Sequence, residues 1–188
     1  MAKKITVVKV GGSLFDWPEL IPRLRAFVEP LQKNKIFLFP GGGPLTDVIR
    51  EYDRVHQLGE ERSHWLAIKT LQINSLLLSA IFPEWRLITT HEQLSQRGNG
   101  ILDPFPLCEC EPQHSDLIPA SWQVTSDSIS LRFAQVANAS RLILLKSTNL
   151  PDGLSWSEAA EQGFVDAHFP KLFEIKPIPI EWVNLRAS

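Results

Sequence analysis

Cysteine is almost absent from this 188-residue chain: Cys108 and Cys110 are the two it has. One intervening residue is a poor spacing for a structural disulfide, so the fold is expected to rest on its core and the chain to work in a reducing compartment. An excess of charge of one sign is also lacking. Nineteen Lys and Arg stand against twenty-one Asp and Glu, without the basic surplus of a protein held on nucleic acid through phosphates. No apolar run approaches the roughly 20 residues that cross a bilayer, and the start of the chain has no signal-peptide pattern. The expectation is a cytoplasmic protein without nucleic-acid or membrane partners. Repeats, linkers and low-complexity tracts are missing, so residues 1–188 are expected to form one domain.

What the chain does have is 44% apolar residues, enough for a sizeable core, arranged as strands alternating with helices. Residues 5–10 are rich in β-branched side chains and stop at Gly11-Gly12, and residues 35–39 are a continuous apolar run that stops at Pro40-Gly41-Gly42-Gly43. Apolar positions recur at helical spacing over residues 18–33, 46–55, 63–81 and 129–137, with shorter helices expected at 91–96 and 155–162. Further strands are expected at 86–89 and 141–146. Pro104, Pro106, Pro112 and Pro119 predict a constrained surface loop over residues 103–119, and the prolines of 175–180 an extended tail. The alternation predicts an α/β fold, a three-layer αβα sandwich around a mainly parallel sheet. In such sheets ligands bind beyond the carboxyl ends of the strands, where both glycine turns fall.

Four segments carry the chemistry. Lys9-Val10-Gly11-Gly12-Ser13 puts a cation at a strand end, followed by a turn whose backbone N–H groups can approach phosphate oxygens; its plain alternative is a tight turn beside a solvated lysine. Gly41-Gly42-Gly43 repeats the arrangement after the second strand. Thr125-Ser126-Asp127 opens a helix, where the ordinary role of such residues is to cap free amides. Lys146-Ser147-Thr148 ends an apolar strand with a charge. No Walker A loop and no Gly-x-Gly-x-x-Gly fingerprint occurs. Cys108, Cys110 and His114 lack a second ligand pair at useful spacing, and no metal site is assigned.

Taken in order and joined by Asp152-Gly153, these segments resemble the amino acid kinase family. The resemblance implies attack by an acceptor oxygen on the γ-phosphoryl group of ATP, with Mg²⁺ on the ATP phosphates. It implies a catalytic set of Lys9, Asp127 and Lys146, with Asp127 orienting the lysines. Gly11, Gly12 and Ser13 would bind phosphoryl oxygens, and Lys146, Ser147 and Thr148 would lie near the nucleotide. Gly41, Gly42 and Gly43, with Thr125 and Ser126, would line the site of a small-molecule phosphate acceptor. Many members carry a further lysine in a Gly-x-Met-x-x-Lys motif; here the corresponding stretch is Gly163-Phe164-Val165-Asp166-Ala167-His168-Phe169-Pro170-Lys171, and Lys171 is the residue that would serve. The part after Gly153 is shorter than in most members, which implies a reduced nucleotide-binding portion. Residues 63–68 and 121–128 resemble the short members that phosphorylate an (aminomethyl)furanmethanol phosphate in one-carbon cofactor biosynthesis, and on that likeness His64 and Asn74 would face the acceptor. An acidic amino acid or UMP as acceptor, a non-catalytic binding protein on the same fold, and a homodimer are the alternatives left open.

Overall fold

The computed structural model describes residues 4–111 and 117–187. Strands β1 (Ile5–Val10), β2 (Lys35–Pro40), β3 (Arg86–Ile88), β4 (Gly100–Leu102), β5 (Arg141–Lys146) and β6 (Ile180–Asn184) form one sheet. Their order is β3-β4-β2-β1-β5-β6, and every pairing is parallel. The crossovers contain α1 (Leu20–Val28), α2 (Pro44–His56), α3 (Glu60–Ile81), α4 (Pro104–Glu109), α5 (Ser126–Val136), α6 (Trp156–Glu161) and α7 (Phe169–Ile175). The α/β sandwich expected from the alternation is the observed architecture.

Period-two alternation sorts the sheet into two apolar layers. Val7, Phe37, Phe39, Leu142 and Leu144 pack with α5 and α7 on one face, whereas Val8, Ile36, Leu38, Ile143 and Leu145 pack with α1 on the other. Lys9 and Lys146 have the parity of the first group. Their ammonium groups therefore leave the sheet on the α5 side, at the carboxyl ends of adjacent strands.

Three expectations need correction. Residues 103–119 are not a surface loop throughout: Asp103 accepts from the Phe105 amide at 3.2 Å and starts α4, whose Leu107 and Cys108 are buried, as is Ile118. Pro104 sits at the helix start, where the missing N–H costs nothing. His114 and its neighbours 112–116 lie outside the described residues. Gly100, expected among the glycines that close the 91–96 helix (Gly98-Asn99-Gly100), instead begins β4, and the stretch at 175–180 is not an extended tail throughout: it begins as the last residue of α7 and leads into β6.

Candidate active site

Lys9 lies on the central strand, opposite Phe39 and Leu144 in the register. Strands on both sides and α5 above bury it to 3% exposure. A buried ammonium needs a partner, and α5 supplies one: Lys9 Nζ donates to Asp127 Oδ1 at 2.7 Å. Lys146, one strand over, donates to the other oxygen, Asp127 Oδ2, at 2.9 Å and to the Phe164 carbonyl at 2.7 Å. One carboxylate thus holds two ammonium groups. Burial alone would raise the Asp127 pKa, but Lys146 and Lys9 together hold it down to about 2. Burial pulls the Lys9 ammonium below its ordinary range and Lys146 adds to this, with Asp127 opposing.

The two glycine turns interlock beside this triad. A Cβ on Gly12 would stand 2.5 Å from the Gly43 amide nitrogen, so only bare backbone fits. Gly43 has φ +60° and starts α2, a conformation that favours glycine. Gly11 and Gly41 serve the framework, their amides donating to Leu145 O and Val10 O at 2.8 Å. Ser13 and Ser147 share a hydroxyl hydrogen bond at 2.8 Å, closing the two strand-end turns on each other.

A cleft of about 320 Å³ opens from these turns. Gly12, Ser13, Gly42, Gly43, Thr125 and Ser126 line one end, and His64, Ile68, Leu71 and Trp122 form much of the rest. Asp16, Asp47 and Arg50 supply its charges; Arg50 donates to Asp47 at 2.5 Å and lies 5.2 Å from the centre of the Trp122 ring. The Trp122 indole in turn donates to Asp53 at 2.7 Å, which ties this loop to α2. A second, more open cavity of about 510 Å³ lies beyond Lys146, lined by residues 149–154, Trp182 and Asn184. Trp182 connects it to the triad: the Lys146 ammonium sits 5.0 Å over its ring, and its indole donates to Thr148 O at 2.9 Å.

Most residues singled out from the sequence therefore meet at the carboxyl end of the sheet, but Gly11 and Gly41 spend their amides on the framework, and two further residues do not act as expected. Asn74 is buried behind the second glycine turn and donates to Gly41 O and Gly42 O at 2.7 and 2.9 Å, so it holds the turn and does not face the cleft. Lys171 is exposed on α7 and lines neither cavity. Thr125 does not cap α5 with its side chain. The acceptor there is Asp166, a residue the motif reading passed over and that only its distance from Thr125 in sequence concealed. Arg50 and Trp122 were missed as cleft residues for the same reason: they meet each other, and Trp122 meets Asp53, across about seventy positions of sequence.

Comparison with known proteins agrees with this geometry. The family model described as amino acid kinase family matches residues 4–149. A curated relative, [5-(aminomethyl)furan-3-yl]methyl phosphate kinase of Methanocaldococcus jannaschii, is 28% identical over 146 residues, covering 73% of this chain. The match spans 63% of that relative's length. Among solved structures, UMP kinase from Ureaplasma parvum superposes with a TM-score of 0.70 at 13% identity, covering 97% of this chain and 90% of its own. Uridylate kinase from Archaeoglobus fulgidus gives 0.66 at 17%, with 96% and 90% covered; at such identities the likeness concerns the fold. With a family model matched from β1 to just past β5 and the ordered motifs gathered at the carboxyl end of the sheet, this chain belongs to the amino acid kinase family.

Proposed function

We propose that the chain is an ATP-dependent kinase whose acceptor already carries a phosphate, of the (aminomethyl)furanmethanol phosphate type. The observation that carries this reading is the pair of lysines held on one carboxylate at the carboxyl ends of β1 and β5; the three residues line neither cavity themselves, but Ser126 next to Asp127 lines the first and Trp182, under the Lys146 ammonium, lines the second. An acceptor phosphate oxygen would attack the γ-phosphorus, the bond to ADP would break, and ADP would leave with the electron pair. No proton has to be removed from a phosphate nucleophile, so the site needs charge and position and no general base. Lys9 and Lys146 supply the charge. Asp127, ionised at any working pH, accepts from both and fixes where they point.

ATP phosphates suit Gly12 and Ser13 and Lys146 to Thr148, with the rest of the nucleotide in the cavity lined by Trp182 and residues 149–154. In this reading the chain is one kinase domain with a shortened nucleotide portion. Among the described residues no group of three or more His, Cys, Asp or Glu gathers as a metal site. Mg²⁺ would be carried by the ATP phosphates, where it spreads their charge.

Cleft charges support an acceptor with both signs. Arg50 and the Gly42 and Gly43 amides suit a phosphate, while Asp16 and Asp47 suit an ammonium arm; Trp122, Ile68 and Leu71 suit a small flat body between them. UMP offers no such arm. ADP release should be followed with ATP and a panel of [5-(aminomethyl)furan-3-yl]methyl phosphate, UMP and acidic amino acids. The furan phosphate is expected to give the highest kcat/KM. Binding of ATP with no ADP release on any acceptor would replace this reading with the non-catalytic one that the short nucleotide portion suggests.

A further inference from the structure

We infer that Asp166 is a positioning residue: its carboxylate holds the start of α5, and through it Asp127, where Lys9 and Lys146 can meet the transferring group. The inference rests on the kinase reading above. Asp166 accepts five hydrogen bonds. Its Oδ2 takes Thr125 N, Thr125 Oγ1 and Ser128 N, each at 2.9 Å, and its Oδ1 takes Ser128 Oγ at 2.5 Å and Phe169 N at 3.1 Å. Four of the five donors belong to the residues that flank Ser126 and Asp127. The chain therefore grips Asp127 from both sides with a carboxylate that lies about forty positions away in sequence.

The same short segment also touches the second lysine. Phe164, two residues before Asp166, accepts from Lys146 Nζ at 2.7 Å. A shift of residues 164–166 would move Asp127 and the Lys146 ammonium together, while the backbones of both lysines stay anchored in β1 and β5.

A purely structural role does not account for the choice of residue. Thr125 has a hydroxyl that would ordinarily cap α5 from within; here it donates to Asp166 instead. Using Asp166 puts a second buried carboxylate near Asp127, an arrangement that costs stability, since burial and the Asp127 charge both push the Asp166 carboxyl above its ordinary range. What it contributes is geometric. Five donors on two oxygens leave the carboxylate little freedom to rotate, and the array of Lys9, Lys146, Asp127 and Asp166 has equal numbers of each charge.

The test uses the full-length chain, with ATP and [5-(aminomethyl)furan-3-yl]methyl phosphate. Asp166→Asn keeps the shape but turns an NH₂ group toward amides that need an acceptor. It is expected to lower kcat by about 10²-fold, the scale of a displaced catalytic geometry, with KM for ATP within about twofold. Ser128→Ala removes one donor and should lower kcat in the same sense by severalfold, and it decides the matter if Asp166→Asn does not fold. Phe173→Ala, which thins the packing of α7 on Trp156 at 6.1 Å, is the control: it should lower Tm and leave kcat within twofold. Unchanged kcat in the folded variants, or a loss confined to KM for ATP, overturns the inference and leaves the kinase reading standing. Absence of turnover in the wild type overturns both.

Discussion

The two sides of the Lys9–Asp127–Lys146 triad are built differently. The side proposed for the acceptor is walled by α2, α3 and the Trp122 loop around a cleft of about 320 Å³, and its glycine end is backbone locked against backbone. The side proposed for the nucleotide is a wider space of about 510 Å³ lined by a single loop, Trp182 and Asn184. A wall made of paired helices and interlocked turns is set before any ligand arrives, so the proposed kinase would concentrate its selection there. On the open side, nucleotide affinity would have to come from the phosphates near Lys146 and the Ser13–Ser147 contact, with little surface left to read a base. The contrast leads to the prediction that this chain distinguishes acceptors more sharply than nucleotides.

The largest expected effect tests what both sides share. Lys9→Ala should reduce kcat by about 10³-fold with little change in KM for ATP, as for a group acting on charge in the transition state; steady-state kinetics with ATP varied would check it. Equal losses in kcat and ATP affinity would instead make Lys9 a ground-state nucleotide ligand and blur the two sides.

Asp127→Asn should follow, with about 10²-fold lower kcat and a changed acid profile of stability. The Asp127 carboxyl sits at about 2 in the fold against an ordinary 3.8. A depressed acid contributes stability that is complete above the ordinary value and is lost as pH falls through the folded one, roughly 2 kcal/mol across pH 4 to 2. Urea unfolding at several pH values should show that acid limb flattened in Asp127→Asn. Asp166 has the opposite sign, since its carboxyl is raised.

Smaller effects separate the two sides. Arg50→Gln should raise KM for the furan phosphate by about tenfold, the size of one charge-assisted hydrogen bond, with KM for ATP unchanged. Trp182→Ala should do the converse, raising KM for ATP by a few fold through the lost ring under Lys146 without touching the acceptor. Crossed effects in either variant would merge the two cavities into one functional surface.

How much of this was legible in the sequence follows from where the signal lies. β1, β2 and β5 are apolar runs stopped by glycine or a charge, and that local grammar was enough to find the lysines and both glycine turns. β4 has three residues, Gly100–Leu102, too few for any period to register, and the prolines before β6 hid a strand that needs no N–H from them. α4 was lost for a related reason, because Pro104 at a helix start looks the same in sequence as a proline in a loop. The triad emerged from motif order. The roles of Asn74, Arg50 and Asp166 did not, since each is defined by partners a helix or a crossover away: Asn74 by Gly41 and Gly42, Arg50 by the Trp122 ring, and Asp166 by Thr125 and Ser128.

The most direct test of the central claim is ³¹P NMR of the wild-type chain with Mg-ATP and [5-(aminomethyl)furan-3-yl]methyl phosphate. The account predicts that the acceptor's monophosphate resonance is replaced by the paired doublets of a diphosphate ester as ADP accumulates, and that Lys9→Ala abolishes the change on the same timescale. An unchanged acceptor resonance, or phosphate released only to water, would contradict it.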